Sequence, residues 1–244
     1  MKAIRLAVLP FALVAPLIVG ACGDSPSTSL TPTSAATDRG GMAGHDAAGL
    51  PDGDYEANLH PLNPGVQEHS VVRGVAHGKA YFSVRHGQFT ATVNAEGVRQ
   101  GMIHPQHIHA AANCPPASAD VNHDGFVDVI EGVPFYGPIL VPLDDNLASQ
   151  ASGSFPTASG VRGLLRYASS TSLAALLADL NAPDPDPTDA VVKLGGAPLA
   201  LESRHVVLHG VDASTVLPSS VASLPGLPAY LTLPVACGEI RRIR

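Results

Sequence analysis

Tryptophan is absent from this chain of 244 residues, and aromatic side chains make up only 5% of it. Charge is also sparse. Lys and Arg total 14 against 21 Asp and Glu, and no basic stripe runs through the sequence; positive residues gather only at 241–244. That balance argues against a nucleic-acid partner and against attraction to anionic lipid. The serine-hydrolase signature G-x-S-x-G and the zinc-protease signature H-E-x-x-H are both missing, so hydrolase chemistry has no marker. No internal repeat is evident. What is plentiful is glycine and proline, 24 and 22 residues, which suits an all-β domain with many turns.

The one long apolar run, residues 6–19, is short and interrupted by Pro10 and Pro16, a poor membrane span. Lys2 and Arg5 precede it, and Val19-Gly20-Ala21-Cys22 follows. This pattern predicts a secretory signal of the lipoprotein type over residues 1–21, with lipid on Cys22. The expected product is exported and lipid-anchored to a membrane of the cell envelope, and the anchor is its only expected membrane contact. Loss of residues 1–21 removes two positive charges and no acid, leaving 12 basic against 21 acidic residues. Only three cysteines exist. With Cys22 lipidated, Cys114 and Cys237 remain in an oxidising compartment, and a disulfide between them is expected.

Residues 22–65, rich in Ser, Thr, Pro, Gly and Ala, read as a disordered tether in which His45 and His60 are incidental. Residues 66–244 read as one β domain. Segment 70–76 is β-prone. Segments 80–84 and 89–93 alternate apolar with polar around His86-Gly87-Gln88, as paired strands do. Further strands are expected at 102–110, 134–142, within 154–167, at 203–211 and at 230–243. One helix is expected at 169–180, where Leu173, Leu176, Leu177 and Leu180 form a packing stripe.

Residues 120–131, DVNHDGFVDVIE, match the EF-hand pattern D-x-[DN]-x-[DN]-G-x5-E in full. Calcium is a hard cation that takes six to eight oxygens. Asp120, Asn122 and Asp124 alternate and converge as the loop curls, Gly125 permits the sharp turn, and Phe126 offers its carbonyl. Asp128 ligates directly or through water, and Glu131 closes the shell. Pro115 and Pro116 before the loop, and Pro134, Gly137 and Pro138 after it, argue against flanking helices. The reading is a rigid calcium staple inserted in a β domain rather than a switch.

His107 and His109 lie two apart on an expected strand and so share a face. His205 and His209 are four apart on another strand, and either can supply a third ligand. An imidazole-only set suits copper or zinc.

The segments GMIHPQHIH (101–109), Cys114, RHVVLH (204–209) and ACGEI (236–240) resemble the copper/zinc superoxide dismutase family in order and spacing. That resemblance implies copper on His107, His109 and His209, the Cys114–Cys237 disulfide, and a Greek-key antiparallel β-sandwich or barrel. The chain departs from the family at two points. The calcium loop replaces the loop bearing the bridging and zinc ligands, leaving only His123 in the region of the bridging position, and Pro234 stands where the family has its anion-guiding arginine. Both departures disfavour zinc and turnover. The chain is also similar to chordin-type (CHRD) domains, through His107-Ile-His109, YGPILVP (136–142) and CGEIR (237–241). Those are β-sandwich modules of secreted proteins. The expected function is an exported, calcium-binding, non-catalytic binding or structural module, the alternative being a copper-dependent dismutase-like enzyme.

Overall fold

The first strand lies where a tether was expected. In the computed structural model, which describes residues 50–65, 75–151, 153–160 and 162–244, Gly53–Pro61 forms β1. Tyr55, Ala57 and Leu59 are buried on one face while polar residues alternate on the other. The tether reading of 22–65 is therefore corrected at its C-terminal end: three inward apolar side chains at period two outweigh the polar composition around them. Residues 1–49 and 66–74 lie outside the described residues, and with them the signal segment, Cys22 and most of the expected strand at 70–76.

β2 (His77–Arg85) and β3 (Gln88–Glu96) form the predicted hairpin. Its two-residue turn, His86-Gly87, has positive φ at both positions, 50° and 73°. That twist matches the right-handed twist of the strands it joins. Phe82 and Phe89 stack across the pair. The remaining strands are β4 (Gln106–His109), β5 (Ile139–Pro142), β6 (Leu165–Ser172), β7 (His205–His209) and β8 (Pro234–Arg242). All seven pairings are antiparallel, in the order β5-β4-β7-β8-β1-β2-β3-β6. The expected all-β class holds, as one continuous sheet. The sheet curls: the Tyr167 hydroxyl on edge strand β6 donates to the carbonyl of Asp144, just past the opposite edge strand β5, at 2.8 Å. The concave side encloses an aliphatic core that includes Val84, Val93, Ile108, Val206 and Ile240.

The single expected helical excursion is corrected to three short helices that lie wholly within the described residues. α1 is Val129–Tyr136, α2 is Leu173–Leu180 and α3 is Ala229–Thr232. In α2 the four leucines are all buried, and Ser172 caps its N-terminus by accepting from Ala175 N–H. The helix begins four residues later than expected because residues 169–172 complete β6 against β3. α1 is the larger surprise. The prolines predict no helix after the acidic loop and a strand from 134. Instead Asp128 caps α1 through Ile130 and Glu131 N–H, Glu131 returns the bond to Asp128 N–H, and the strand starts only at Ile139. That reciprocal capping box nucleates the helix.

Candidate metal centre

β4 and β7 are central strands buried on both faces. Ile108, Val206 and Leu208 enter the core cluster, whereas His107, His109 and His209 point the opposite way. The register sets His107 opposite Val207 and His109 opposite His205. His209 continues β7 past a bulge, so its ring swings beside that of His107. One nitrogen from each of His107, His109 and His209 falls within 4.8 Å of the others. Ring centroids are 5.3 Å apart for His107 and His209, 5.6 Å for His107 and His109, and 5.9 Å for His109 and His209.

The hydrogen bonding fixes which nitrogens are available. His109 Nδ1 lies 2.8 Å from the Gly137 carbonyl, and His209 Nδ1 lies 2.7 Å from that of Thr232. A carbonyl only accepts, so each Nδ1 carries the proton and each Nε2 presents a lone pair. His109 Nε2, His209 Nε2 and His107 Nδ1 are buried and make no hydrogen bond. The His107 ring is held edge-on to Phe155 at 5.2 Å, and His109 packs on Tyr136 at 4.6 Å. Burial holds all three imidazoles neutral. It lowers His107 well below its ordinary value, takes His109 to about 3 and His209 to about 4. Three buried imidazoles whose nitrogens approach within 4.8 Å, two of them with the Nε2 lone pair fixed by the tautomer, are a donor set that fits one soft-to-borderline metal ion.

The alternatives for the third ligand resolve. His205 faces Ala111 O through Nδ1 at 3.0 Å and approaches Glu239 at 4.0 Å; it is not one of the converging trio. His123 sits on the exposed acidic loop at φ 59° and is not brought to the trio either. Sequence inspection missed His104, which is fully buried and bridges the His209 and Arg99 carbonyls. It also missed Arg204 as a clamp: the guanidinium donates to the carbonyls of Leu199 and Ala110, not to the site.

The disulfide joins Cys114 to Cys237 across 123 residues, with Cα atoms 5.8 Å apart. It ties the segment after β4 to β8, beside Tyr136 and Val207.

The acidic loop folds around its own amides. Asp120 accepts from Asp124 and Gly125 N–H, Asn122 Oδ1 from Asp124 N–H, and Asp124 from Phe126 N–H. Glu131 accepts from Val121, Asn122 and Asp128 N–H. The loop is docked by side chains the sequence did not single out. Asn63 donates to the Val127 and Pro234 carbonyls and accepts from Val127 N–H. Ser220 donates to Asp124, and Ala222 N–H donates to Asp128. Among the described residues the histidine trio is the one group of three or more His, Cys, Asp or Glu drawn this close, so the carboxylates of the loop are not preassembled at a point.

Above the trio lies a cavity of about 390 Å³, walled by α1, the 212–229 loop and α3. No Lys or Arg lines it; its acidic members are Asp144 and Asp189. No helix among the described residues is long and apolar enough to cross a membrane. No family model matches the chain, and no curated protein matches it.

Proposed function

We propose that this chain is an exported, envelope-anchored metal-binding module in which His107, His109 and His209 hold one copper ion. The observation that carries this reading is the set of three buried, unpartnered imidazole nitrogens, two of them aimed by backbone carbonyls on the opposite ring nitrogen. Among divalent first-row ions copper binds nitrogen sites most tightly, and three neutral imidazoles require no proton loss. Bound copper would supply one-electron redox chemistry. The chain's own residues fix the tautomers of His109 and His209 and hold the His107 ring edge-on to Phe155.

The resemblance to the dismutase family and its Greek-key fold belongs to the same proposal. It is supported by the crossovers that place β4 beside β7 and β3 beside β6. Superoxide turnover is the weaker part. An anion entering this cavity meets carboxylates and no cationic side chain, the reverse of electrostatic steering. We therefore favour binding over catalysis.

Titrating copper into the purified full chain tests the reading. One equivalent should bind, be lost in His109→Ala and His209→Ala, and be kept in His205→Ala. Absence of stoichiometric binding, or equal loss in His205→Ala, defeats it. A calcium site over residues 120–131 is a separate proposal, resting on the six matching positions; there Glu131 must exchange its hydrogen bonds to the loop for the ion. Thermal unfolding with calcium and with chelator decides it: a raised midpoint in calcium that Glu131→Gln abolishes supports the site, and an unchanged midpoint rules it out.

A further inference from the structure

The protons on Nδ1 of His109 and His209 are held by two backbone carbonyls from distant parts of the chain, Gly137 at the end of α1 and Thr232 in α3. Both carbonyls are tied to the same side chain. Asp128 is 2% exposed, and three N–H groups satisfy its carboxylate. Oδ1 accepts from Ile130 and Glu131 at 2.8 and 3.0 Å and so caps α1, the helix that ends on Gly137. Oδ2 accepts from Ala222 N–H at 2.6 Å, 94 residues further along. The next residue, Ser223, continues that second arm. Its hydroxyl donates to the Leu227 carbonyl at 2.7 Å, which has no proton to return. The one Ser223 proton is then engaged, so the 2.8 Å contact with Thr232 Oγ1 is a bond donated by Thr232. Thr232, anchored in this way, presents the carbonyl that meets His209 Nδ1 at 2.7 Å.

We propose that Asp128 is a positioning residue of the histidine site: one buried carboxylate, outside the trio, holds both of the carbonyls that fix the tautomers of His109 and His209. Hydrogen bonds to an ionised acceptor are about twice as strong as neutral ones, and leaving a buried N–H unpaired is costly. The carboxylate therefore locks the start of α1 to the 212–229 loop, and each locked element delivers one carbonyl to one ring. Ligands aimed from outside in this way hold their lone pairs ready for an ion. For metal affinity the proposal rests on the copper reading; for the ring tautomers it does not.

The test reads the rings directly. In the metal-free full chain, long-range 1H–15N correlation spectra of the imidazoles separate the Nδ1–H from the Nε2–H tautomer. Wild type should show Nδ1–H alone at His109 and His209, and Asp128→Ala should leave both rings mixed. Asp128→Asn keeps an oxygen for the cap of α1 but turns an amide NH2 on Ala222 N–H, so His209 alone should become mixed. Ser223→Ala should do the same through Thr232. Ser172→Ala removes the cap of α2, which supplies neither carbonyl. It should lower stability and leave both rings unchanged, which separates positioning from general loosening. In calcium-free buffer, copper affinity should fall about 10–100-fold in Asp128→Ala and about tenfold in Ser223→Ala, and stay at the wild-type value in Ser172→Ala. Pure Nδ1–H rings in a folded Asp128→Ala, His109 mixing as much as His209 in Ser223→Ala, or mixing in Ser172→Ala would each overturn the proposal. Where Asp128→Ala does not fold, Asp128→Asn and Ser223→Ala decide, and an unchanged His209 in both overturns it. A failed copper titration leaves the tautomer result standing, and unchanged tautomers leave the copper titration standing.

Discussion

Reducing the Cys114–Cys237 bond is the perturbation with the most calculable outcome. The bridge spans 123 residues. Restoring the loop-closure entropy of a segment that long to the unfolded chain costs about 5 kcal/mol of stability in the chain-entropy model. Domains of this class hold roughly 5–15 kcal/mol in all, so the bond is a large share of the total. For a chain of this size each kcal/mol moves the unfolding midpoint by about 2–4 °C. A drop of roughly 10–20 °C follows. The consequence is also local. The segment from Cys114 leads through the acidic loop and α1 to Gly137, whose carbonyl holds the proton of His109. Copper affinity should therefore fall in the reduced protein even where it remains folded. The measurement is guanidinium unfolding of the oxidised protein, the reduced protein and the Cys114→Ala/Cys237→Ala variant; alanine avoids burying a hydroxyl at Cys237, which is 1% exposed. If the three curves lie within about 1 kcal/mol of one another, the loop-entropy reasoning is refuted for this fold. Unchanged copper affinity after reduction would refute the local argument alone.

Asn63→Ala removes three hydrogen bonds to Val127 and Pro234 and should cost about 2–3 kcal/mol in denaturant unfolding, with faster proteolysis within residues 120–131 as its local sign. Ser172→Ala deletes the cap on α2 and should cost about 1 kcal/mol, read in the same assay. Asp144 has its carboxyl raised above 3.8 by burial, against the lowering effect of Asn146 N–H. A group raised on folding contributes stability that is complete below its unfolded value and is lost as pH rises through its folded value. Wild type should therefore gain stability relative to Asp144→Asn as pH falls towards 3.8, and the difference should level off below it; a pH-independent difference contradicts that assignment.

Much of the site was legible because its signals are local. The H-x-H pair on β4 needs only the period-two geometry of a strand, and the disulfide pair is what remains of three cysteines once Cys22 is read as a lipidation site. His209 against His205 could not be chosen from sequence, because both face the same way on β7; the bulge between Leu208 and His209 makes the choice. β1 was hidden for a compositional reason. Its alternation of Tyr55, Ala57 and Leu59 was present, but Ala is a weak hydrophobic marker and the surrounding residues look like linker. α1 is hidden in the sequence because Pro134 and Gly137 read as breakers, while Asp128 and Glu131 read as calcium ligands before they read as a capping box. The same two carboxylates serve both patterns, and a pattern match cannot say which use the fold makes of them.

That double use links the two halves of residues 104–131. Glu131 sits at the third position of α1 and accepts N–H groups from the far side of the acidic loop, so loop and helix close together. α1 then delivers Tyr136 against the His109 ring and the Gly137 carbonyl onto His109 Nδ1. Val129 and Val133, on the same helix, wall the cavity. An ion in the acidic loop would pull Glu131 away from those amides and tighten or shift the start of α1. Any such shift reaches His109 through one helix of eight residues. The acidic loop is thus the foundation of the histidine site's wall, a physical reason for the loop of residues 120–131 to lie beside the H-x-H strand in one chain.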